Sequence, residues 1–325
     1  MMQRRHFLAA SAASAAALAS PFALAQAWPE QPIRWIVPYP PGGGTDVIAR
    51  SVAEAMRPSL GQQILVDNRP GAATNIGGDL VAHAKADGYT VMSADNAILA
   101  FNEHLFTKLP FNPEKDFSYL GAIGRFPLAL VVNPSFPAKN LQEFIAYAKS
   151  HPGRINYGSP GNGSPHHLAM ELFKNRTGTF ITHIPYRGMA PALQDVMGGQ
   201  IPCMFLDLAG GLPVMQTGKV RVLAIGSAKR APALPDVPTL AEAGVSGAEV
   251  YAFQGVLGPA GLPEPIVTRF NGELNKALAS ADVQKRAKDF GMEMLPGTPA
   301  QFKAMARAEA KRWGGIIQAA GVKLD

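Results

Sequence analysis

Short runs of β-branched and aliphatic residues alternate along this chain with longer segments in which apolar residues recur at helical spacing. The short runs predict strands at 33–37, 64–66, 90–92, 128–132 and 154–157. Helical spacing and capping signals predict helices that begin at Asp46, near Ile76, after Asn140, after Ser164 and after the capping boxes Thr239/Glu242 and Thr298/Gln301. This alternation of strands and helices is typical of an α/β fold.

The first 25 residues have the order of a secretory signal peptide. Arg4 and Arg5 form its positive region, residues 7–19 are uncharged and rich in alanine, and residues 23–25 supply a small-x-small cleavage pattern. The apolar stretch is shorter than the roughly 20 residues that a transmembrane helix needs. We therefore predict cleavage near Ala25 and a periplasmic location, by either the general secretory or the twin-arginine route.

The composition is that of a globular protein and excludes several other classes. With 325 residues, 47% hydrophobic and 17% charged, the chain is neither a disordered protein, a coiled coil nor a membrane bundle. Its length favours two domains. The single cysteine, Cys203, excludes an intrachain disulfide and any cysteine-based metal or redox motif. The net charge of +6 falls when Arg4 and Arg5 are removed, and the remaining basic residues are scattered, so we expect no nucleic-acid partner.

Three glycine-rich segments, at 42–45, 71–75 and 161–164, each directly precede a predicted helix. The first turn of a helix has unpaired N–H groups and a partial positive charge, which suit an anion. Glycine allows the backbone to come close to a ligand. These segments therefore favour capture of a carboxylate, although ordinary strand–helix turns would have similar residues.

Known nucleotide and hydrolase motifs do not fit these loops. Asp46 stands where a phosphate-binding loop would need lysine, and 161–166 does not continue as a dinucleotide-binding fingerprint. Neither Ser159 nor Ser164 has the glycine that a hydrolase nucleophile elbow requires two positions earlier. We expect no catalytic residues and no cofactor.

The histidines and one arginine are weaker candidates. His167 and Glu171 are one helical turn apart, a spacing that can bind a metal, but no further ligand motif accompanies them, so we expect no metal site. His166, His167 and His183 could instead line a cleft. Arg187 follows a strand in a turn and could face an anion or serve only as a surface residue.

Several longer segments carry a specific resemblance that extends over essentially the whole chain after residue 27. The chain resembles the periplasmic solute-binding proteins of the tripartite tricarboxylate transporters, the Bug (TctC-like) family. The matching segments include 32–46 with its Pro-Tyr-Pro-Pro-Gly-Gly-Gly-Thr-Asp run, 66–77, 87–90, 157–168, 183–188 and 234–244.

The resemblance implies a two-domain type II periplasmic binding protein fold that closes on its ligand. Domain 1 would contain 28–125 and 252–325, and domain 2 would contain 126–251. A small carboxylate would lie in the cleft between the domains, held at one end by the two N-terminal glycine loops. The implied ligand-binding residues are Tyr39, Gly43, Gly44, Thr45, Asp46, Thr74, Asn75, Ser159, Asn162, Gly163, Ser164, Arg187 and Asp207. Asp46 would sooner fix its own loop than meet an anion, because like charges repel.

The function that follows is that of a monomeric, non-enzymatic binding protein. It would deliver a dicarboxylate, an aromatic carboxylate or an amino-acid-like ligand to membrane transporter subunits. Two segments depart from the family pattern and could change the choice of ligand: 72–74, which is less glycine-rich, and 164–166. The alternative function is an exported α/β enzyme that acts on a small carboxylate or ester through Ser164, His167 or Asp207.

Overall fold

The computed structural model describes residues 28–325, so the predicted signal peptide lies outside the described residues. Ten strands are present in this part of the chain: β1 Ile33–Val37, β2 Ile64–Asn68, β3 Thr90–Asp95, β4 Phe117–Val132, β5 Asn156–Ser159, β6 Thr182–Pro185, β7 Cys203–Asp207, β8 Arg221–Ile225, β9 Tyr251–Pro259 and β10 Glu293–Met294. The helices are α1 Gly44–Leu60, α2 Asn75–Ala82, α3 Asn102–Leu105, α4 Leu141–Ser150, α5 Pro165–Thr177, α6 Met189–Met197, α7 Leu208–Gln216, α8 Glu264–Leu278, α9 Ala281–Asp289 and α10 Pro299–Ala320. None of these helices is long and apolar enough to cross a membrane.

The strands form two groups that share β4. The order of the strands is β2-β1-β3-β9-β4-β7-β5-β6, and β8 and β10 also pair with β4. Residues 117–127 of β4 pair with β9, whereas residues 128–132 pair with β7. One 16-residue strand therefore runs through both groups.

Most strands on either side of β4 are parallel to their neighbours. β1 pairs in parallel with β2 and β3 in the first group, and β5 pairs in parallel with β6 and β7 in the second. Because the carboxyl ends of parallel strands meet at one edge of a sheet, the loops that follow them gather there. The three glycine-rich segments all lie in such loops, after β1, β2 and β5.

Aromatic side chains fill the core of each group. Trp35 of β1 packs against Phe270 of α8 with ring centroids 6.2 Å apart, and Phe101 meets Trp313 of α10 edge-on at 5.0 Å. In the second group Phe173 of α5 packs against Phe205 of β7 at 6.3 Å. The side of α10 that carries Trp313 is thus a core face.

The predicted strands and most predicted helices are confirmed, although several are longer or begin elsewhere. β4 starts at Phe117, eleven residues before the predicted strand, and α1 starts at Gly44 rather than at Asp46. The strands β7 to β10 and the helices α3 and α6 to α9 were not predicted.

The helix predicted after Thr239 is wrong. The capping-box contacts are present, since Glu242 N–H donates to Thr239 Oγ1 and Thr239 N–H donates to Glu242 Oε2. The segment nevertheless closes after a single turn, because Gly244 adopts a left-handed conformation with φ +87° and Val245 N–H returns to the carbonyl of Leu240. A start signal followed at once by a stop signal leaves no room for a helix.

The capping box at α10 provides a test of local stability. Thr298 Oγ1 accepts from Gln301 N–H, and Gln301 Oε1 accepts from Thr298 N–H. We expect Thr298→Ala to lower the free energy of unfolding by about 1 kcal/mol, because it leaves a helix donor unpaired. In thermal unfolding followed by circular dichroism, Tm should fall by roughly 2 °C. Thr298→Ser keeps the hydroxyl and should retain the wild-type Tm; an unchanged Tm in Thr298→Ala would contradict the assignment.

Candidate functional site

A cleft with two adjoining chambers lies between the two groups of strands. The inner chamber, about 210 Å³, lies against β4 and β9 and includes Phe126 and Gln254 in its wall. The outer chamber, about 790 Å³, is walled mainly by loops, including 70–74 and 160–164. Both chambers share the wall residues Tyr39, Pro40, Pro160, Ser164, Arg187 and Gly188.

Four helices begin at the inner chamber. They are α1 at Gly44, α5 at Pro165, α6 at Met189 and α7, whose N-cap is Asp207. The starts of α1 and α6 have no side-chain cap. Their first-turn N–H groups are therefore available to a ligand, and the dipoles of all four helices favour negative charge at this place.

The first glycine loop is fixed from behind by Asp46. Its carboxylate accepts hydrogen bonds from Gly42 N–H at 3.0 Å, from Asn68 Nδ2 at 2.9 Å and from Arg50 Nε at 3.1 Å. Burial opposes ionisation of this carboxyl, but the bonds from Arg50, Gly42 and Asn68 together lower the pKa of Asp46. Asp46 lines neither chamber, and it holds the loop in place.

The second glycine loop contains three successive non-glycine residues in left-handed conformations. Ala72, Ala73 and Thr74 have φ values of 45°, 49° and 78°. Each such residue costs on the order of 1 kcal/mol and needs support from its surroundings. Asn102 gives that support, since its Nδ2 donates to the carbonyl of Ala73 at 2.8 Å and to Asn75 Oδ1 at 2.7 Å. Thr74 thereby lines the outer chamber, whereas Asn75 lies behind it.

The third glycine loop rests on a stack of two histidines, of which His167 is buried and His183 is half-buried. The rings of His167 and His183 lie 4.0 Å apart and almost parallel. His167 Nδ1 accepts from Gly163 N–H at 3.1 Å, and Ser159 Oγ lies 2.7 Å from His183 Nε2. Ser159 Oγ also donates to the carbonyl of Gly161. These contacts fix the backbone of 161–163, which lines the outer chamber.

Both histidines of this stack are held in the neutral form. Burial, with a further contribution from the charge of Lys174, lowers the pKa of His167 to about 4. Burial and the neighbouring His167 lower the pKa of His183 to about 3, although Glu171 acts in the opposite direction. A neutral ring is required at His167, because only an unprotonated Nδ1 can accept the Gly163 N–H.

Tyr39 lines both chambers and is hydrogen-bonded to Asp95, an acid that sequence analysis missed. Tyr39 Oη donates to Asp95 Oδ2 at 2.6 Å, and Asp95 Oδ1 accepts from Ala97 N–H at 3.0 Å. Burial raises the pKa of Tyr39 well above its ordinary value, and the charge of Asp95 adds to this. The tyrosine is therefore a neutral donor whose proton is directed at Asp95.

The inner chamber has a second buried acid at its far wall. Asp207 Oδ1 accepts from Gly210 N–H at 2.6 Å, and Asp207 Oδ2 lies 3.1 Å from His166 Nε2. Opposite, Gln254 Nε2 donates to Thr45 Oγ1 at 2.6 Å. Sequence analysis offered His166, His167 and His183 as residues that could line a cleft. Of these, His166 lines the inner chamber, whereas His167 and His183 lie beneath the third glycine loop.

Arg187 is the cation that both chambers share. It is exposed, and within residues 28–325 it makes no ion pair with a carboxylate. Its position directly before the uncapped start of α6 places a full positive charge beside free helix N–H groups. A ligand anion at the shared wall would meet both.

The structure therefore brings together most of the residues that the sequence suggested. Tyr39, Gly43, Gly44, Thr45, Ser164, Arg187 and Asp207 line the inner chamber, and Thr74, Asn162 and Gly163 line the outer one. Asp46, Asn75 and Ser159 are buried and line neither chamber; they position the three loops. The wall residues of the inner chamber that sequence analysis missed include Asp95, Phe126, Gly188, Met189, Phe253 and Gln254.

One of the missed groups had a usable signal in the sequence. Gly188 follows a strand and precedes a helix, as the glycines of the three recognised loops do. Asp95 and Gln254 lie on strands and carry no local signal, because only the pairing of β3 with β9 brings them to the cleft.

Ser164, His167 and Asp207, the residues of the alternative enzyme, do not form a nucleophile–base pair. Ser164 Oγ donates to the carbonyl of Gly161 and accepts from His167 N–H as the N-cap of α5. Asp207 faces His166 rather than His167. Among the described residues, no group of three or more His, Cys, Asp or Glu side chains could hold a metal ion.

Comparison with known proteins identifies the family. The family model of the tripartite tricarboxylate transporter family receptor matches residues 48–322. The chain therefore belongs to this receptor family. It is 37% identical over 310 residues to the protein BugT of Bordetella pertussis, covering 95% of each chain.

Solved structures give the same result for the fold. The Rpa4515 protein of R. palustris, solved with adipate, has a TM-score of 0.88 at 35% identity and covers 91% of this chain and 99% of its own. The periplasmic binding protein BugD has a TM-score of 0.86 at 33% identity, with 91% of this chain and 99% of that one covered. The α/β, two-domain periplasmic binding protein fold is thus confirmed.

The neutral histidine stack predicts a pH dependence. The ordinary pKa of histidine is 6.5, and that of His167 in the folded protein is about 4, so below pH 6.5 the unfolded chain binds protons that the folded chain does not. Stability should therefore fall as the pH drops from about 6.5 towards 4, in a series of thermal unfolding curves. We expect His167→Asn, which keeps an acceptor for Gly163 N–H but cannot become charged, to reduce this loss.

The exposed His83 supplies the control for this experiment. His83→Asn should leave the dependence of Tm on pH as it is in the wild type. If the Tm of His167→Asn depended on pH in the same way as the Tm of His83→Asn, protonation of the stacked histidines would not be the cause of the loss of stability in acid.

Proposed function

We propose that this protein captures a small carboxylate in the cleft between its two domains and delivers it to the membrane subunits of a tripartite transporter. The observation that carries the proposal is the meeting of four helix N-termini and the unpaired Arg187 at one cleft. Uncharged N–H groups and a single arginine stabilise a carboxylate without any enzyme chemistry.

Membership of the receptor family and the likeness to an adipate-bound protein support this proposal. In further support, the acids of the inner chamber are engaged: Asp95 accepts a hydrogen bond from Tyr39 and Asp207 accepts one from Gly210 N–H. An anion at the shared wall, near Arg187, would therefore meet donors on several sides.

Other features of the proposal concern the whole chain. The protein is exported to the periplasm after cleavage near Ala25, acts as a monomer and binds its ligand without converting it. Its domains comprise 28–125 with 252–325, and 126–251. The passage of β4 from one group of strands to the other between residues 127 and 128 supports this division.

Arg187 provides the first test of the ligand class. We expect the purified protein to bind a member of a panel of mono-, di- and aromatic carboxylates, as measured by isothermal titration calorimetry. Arg187→Gln should weaken that binding about tenfold, because a charge-assisted hydrogen bond is lost from a partly solvated site.

Arg154 is a matched control, since it is exposed and lines neither chamber. Arg154→Gln removes the same charge and should bind as the wild type does. Absence of binding to every carboxylate would reject the proposed function. Consumption of the bound carboxylate, followed by nuclear magnetic resonance, would instead favour the enzyme.

Closure of the cleft can be tested at Gly44, where the two domains approach each other closely. A Cβ atom at Gly44 would lie 3.3 Å from the Cβ of Ala209 and 3.6 Å from Asp207 Oδ1, on the other side of the cleft. We expect Gly44→Val to prevent full closure, because its branched side chain cannot fit between α1 and α7. The radius of gyration from solution scattering should then stay at the ligand-free value when ligand is added, whereas that of the wild type should decrease.

Gly272 of α8 is exposed, and a Cβ atom added to it would meet no neighbouring atom within 4 Å. Gly272→Val therefore places the same side chain on a helix away from the cleft, and it should close normally. If ligand reduced the radius of gyration of Gly44→Val as much as that of Gly272→Val, the contact between Gly44 and Ala209 would not limit closure.

A further inference from the structure

The segment 322–325, which follows α10, lies against α3 and reaches the outer chamber. Leu324 N–H donates to the carbonyl of Leu105, the last residue of α3, at 3.0 Å. Asp325 Oδ2 accepts from Thr107 N–H at 2.6 Å, and Asp325 Oδ1 accepts from Thr107 Oγ1 at 3.1 Å. These bonds hold the segment in place, and Leu324 forms part of the wall of the outer chamber.

The side chain of Leu324 meets the third glycine loop across the cleft. A Cβ atom built on Gly163 would lie 3.0 Å from Leu324 Cδ1 and 3.1 Å from Leu105 Cδ1. It would lie 3.5 Å from the Cβ of Ala73 in the second glycine loop. Gly163 follows β5 of the second group of strands, whereas Ala73 and Leu105 belong to the first group. The contact leaves no space for a side chain at position 163, where φ is +74°.

Both surfaces that meet here are held in place by hydrogen bonds on their own side of the cleft. Asn102 Nδ2 of α3 donates to the carbonyl of Ala73 at 2.8 Å, so α3 supports the second glycine loop as well as the segment 322–325. On the other side, Gly163 N–H donates to His167 Nδ1 at 3.1 Å. Groups that are ordered beforehand lose little conformational entropy when they pack together, so this contact stabilises the arrangement in which the two sides touch.

The contact lies in the part of the cleft that is walled by loops. The inner chamber lies against β4, the strand that runs through both groups, whereas Ala73, Gly163 and Leu324 line the outer chamber. When the cleft opens, the two groups move apart about the connecting strand, so a contact between them in the outer chamber has to break. Leu324 is half-buried while the two sides touch, and its greater exposure on opening opposes that motion.

We propose that Leu324 retains the ligand: packed on Gly163, it closes the outer chamber over the bound carboxylate and slows its release. The proposal rests on the proposed function, since it requires a carboxylate captured in the cleft. The ligand enters while the cleft is open, when Leu324 and Gly163 are apart. Leu324 therefore acts on the dissociation rate and leaves the association rate nearly unchanged.

Leu324→Ala tests this retention. The probe is the radiolabelled form of whichever carboxylate in the panel binds the wild-type protein most tightly, and its release is followed after a chase with excess unlabelled compound. We expect the dissociation rate to rise about fivefold, because the branched end of the side chain, which makes the contact with Gly163, is removed. The association rate should stay within about twofold of the wild-type value.

Leu295 supplies the matched control, because it is also half-buried in the first group of strands but lines neither chamber. Leu295→Ala removes the same atoms and should release the ligand at the wild-type rate. A merely structural effect of either substitution would lower Tm and the fraction of protein that binds, and would leave the dissociation rate of the folded protein unchanged.

A double-mutant cycle with Gly163 shows whether the two residues meet when ligand is bound. Gly163→Ala should weaken binding about tenfold, because its Cβ crowds Leu324 Cδ1 and its φ suits glycine. Leu324→Ala vacates part of that space, so the double variant should bind more tightly than the product of the two single effects predicts. If the two effects simply multiply, Leu324 and Gly163 do not meet in the ligand-bound protein and the proposal is overturned.

The possible results separate this proposal from the proposed function. A wild-type dissociation rate in Leu324→Ala would overturn retention by Leu324 and leave the capture of a carboxylate intact. Absence of binding to every carboxylate of the panel by the wild-type protein would reject both. Faster release from Leu324→Ala but not from Leu295→Ala, together with a cycle in which the effects do not multiply, is the expected result.

Discussion

The continuity of β4 through both groups of strands is the constraint on which the cleft depends. Its first eleven residues pair with β9 and its last five pair with β7, so a single backbone connects the two halves at the cleft. The inner chamber lies directly against this strand, at Phe126. Loops that follow parallel strands on either side bring the glycine segments to the cleft, at the edge where ligands of α/β sheets bind. Asp95 and Gln254 reach the chamber from the strands β3 and β9 themselves.

The residues that offer positive potential to an anion and the residues that hold the loops in position lie in different parts of the cleft. Helix N-termini provide positive potential at the inner chamber, and Arg187 provides it at the wall that both chambers share. Behind the walls, Asp46 and the neutral pair His167 and His183 hold the backbone of the glycine loops in position. Buried carboxylates and rings thus determine the shape of the site, whereas the N–H groups of uncapped helix starts lie free at its wall. Preorganised donors of this kind cost little to align with an anion.

Local patterns in the sequence were reliable where a structural element is determined by its own residues. The glycine segments before α1, α2 and α5 and the capping residues Asn140, Ser164 and Thr298 are all found as expected. The same reasoning failed after Thr239, because the stop at Gly244 follows the start signal within one turn. It also could not place Gln254 or Asp95 in the cleft, since neither has a local signature and both reach it through the pairing of β3 with β9.

The sequence by itself determined the α/β class, the three glycine loops that lie at the cleft and the resemblance that points to a carboxylate receptor. The tertiary structure alone decided which side of each loop faces the cleft. It placed Asp46, Asn75 and Ser159 behind the walls and Asp207, His166 and Gln254 in the inner chamber. The physical reason is that a helix start or a glycine turn depends on neighbouring residues, whereas burial, hydrogen-bond partners and the tautomer of a histidine depend on groups that are distant in sequence.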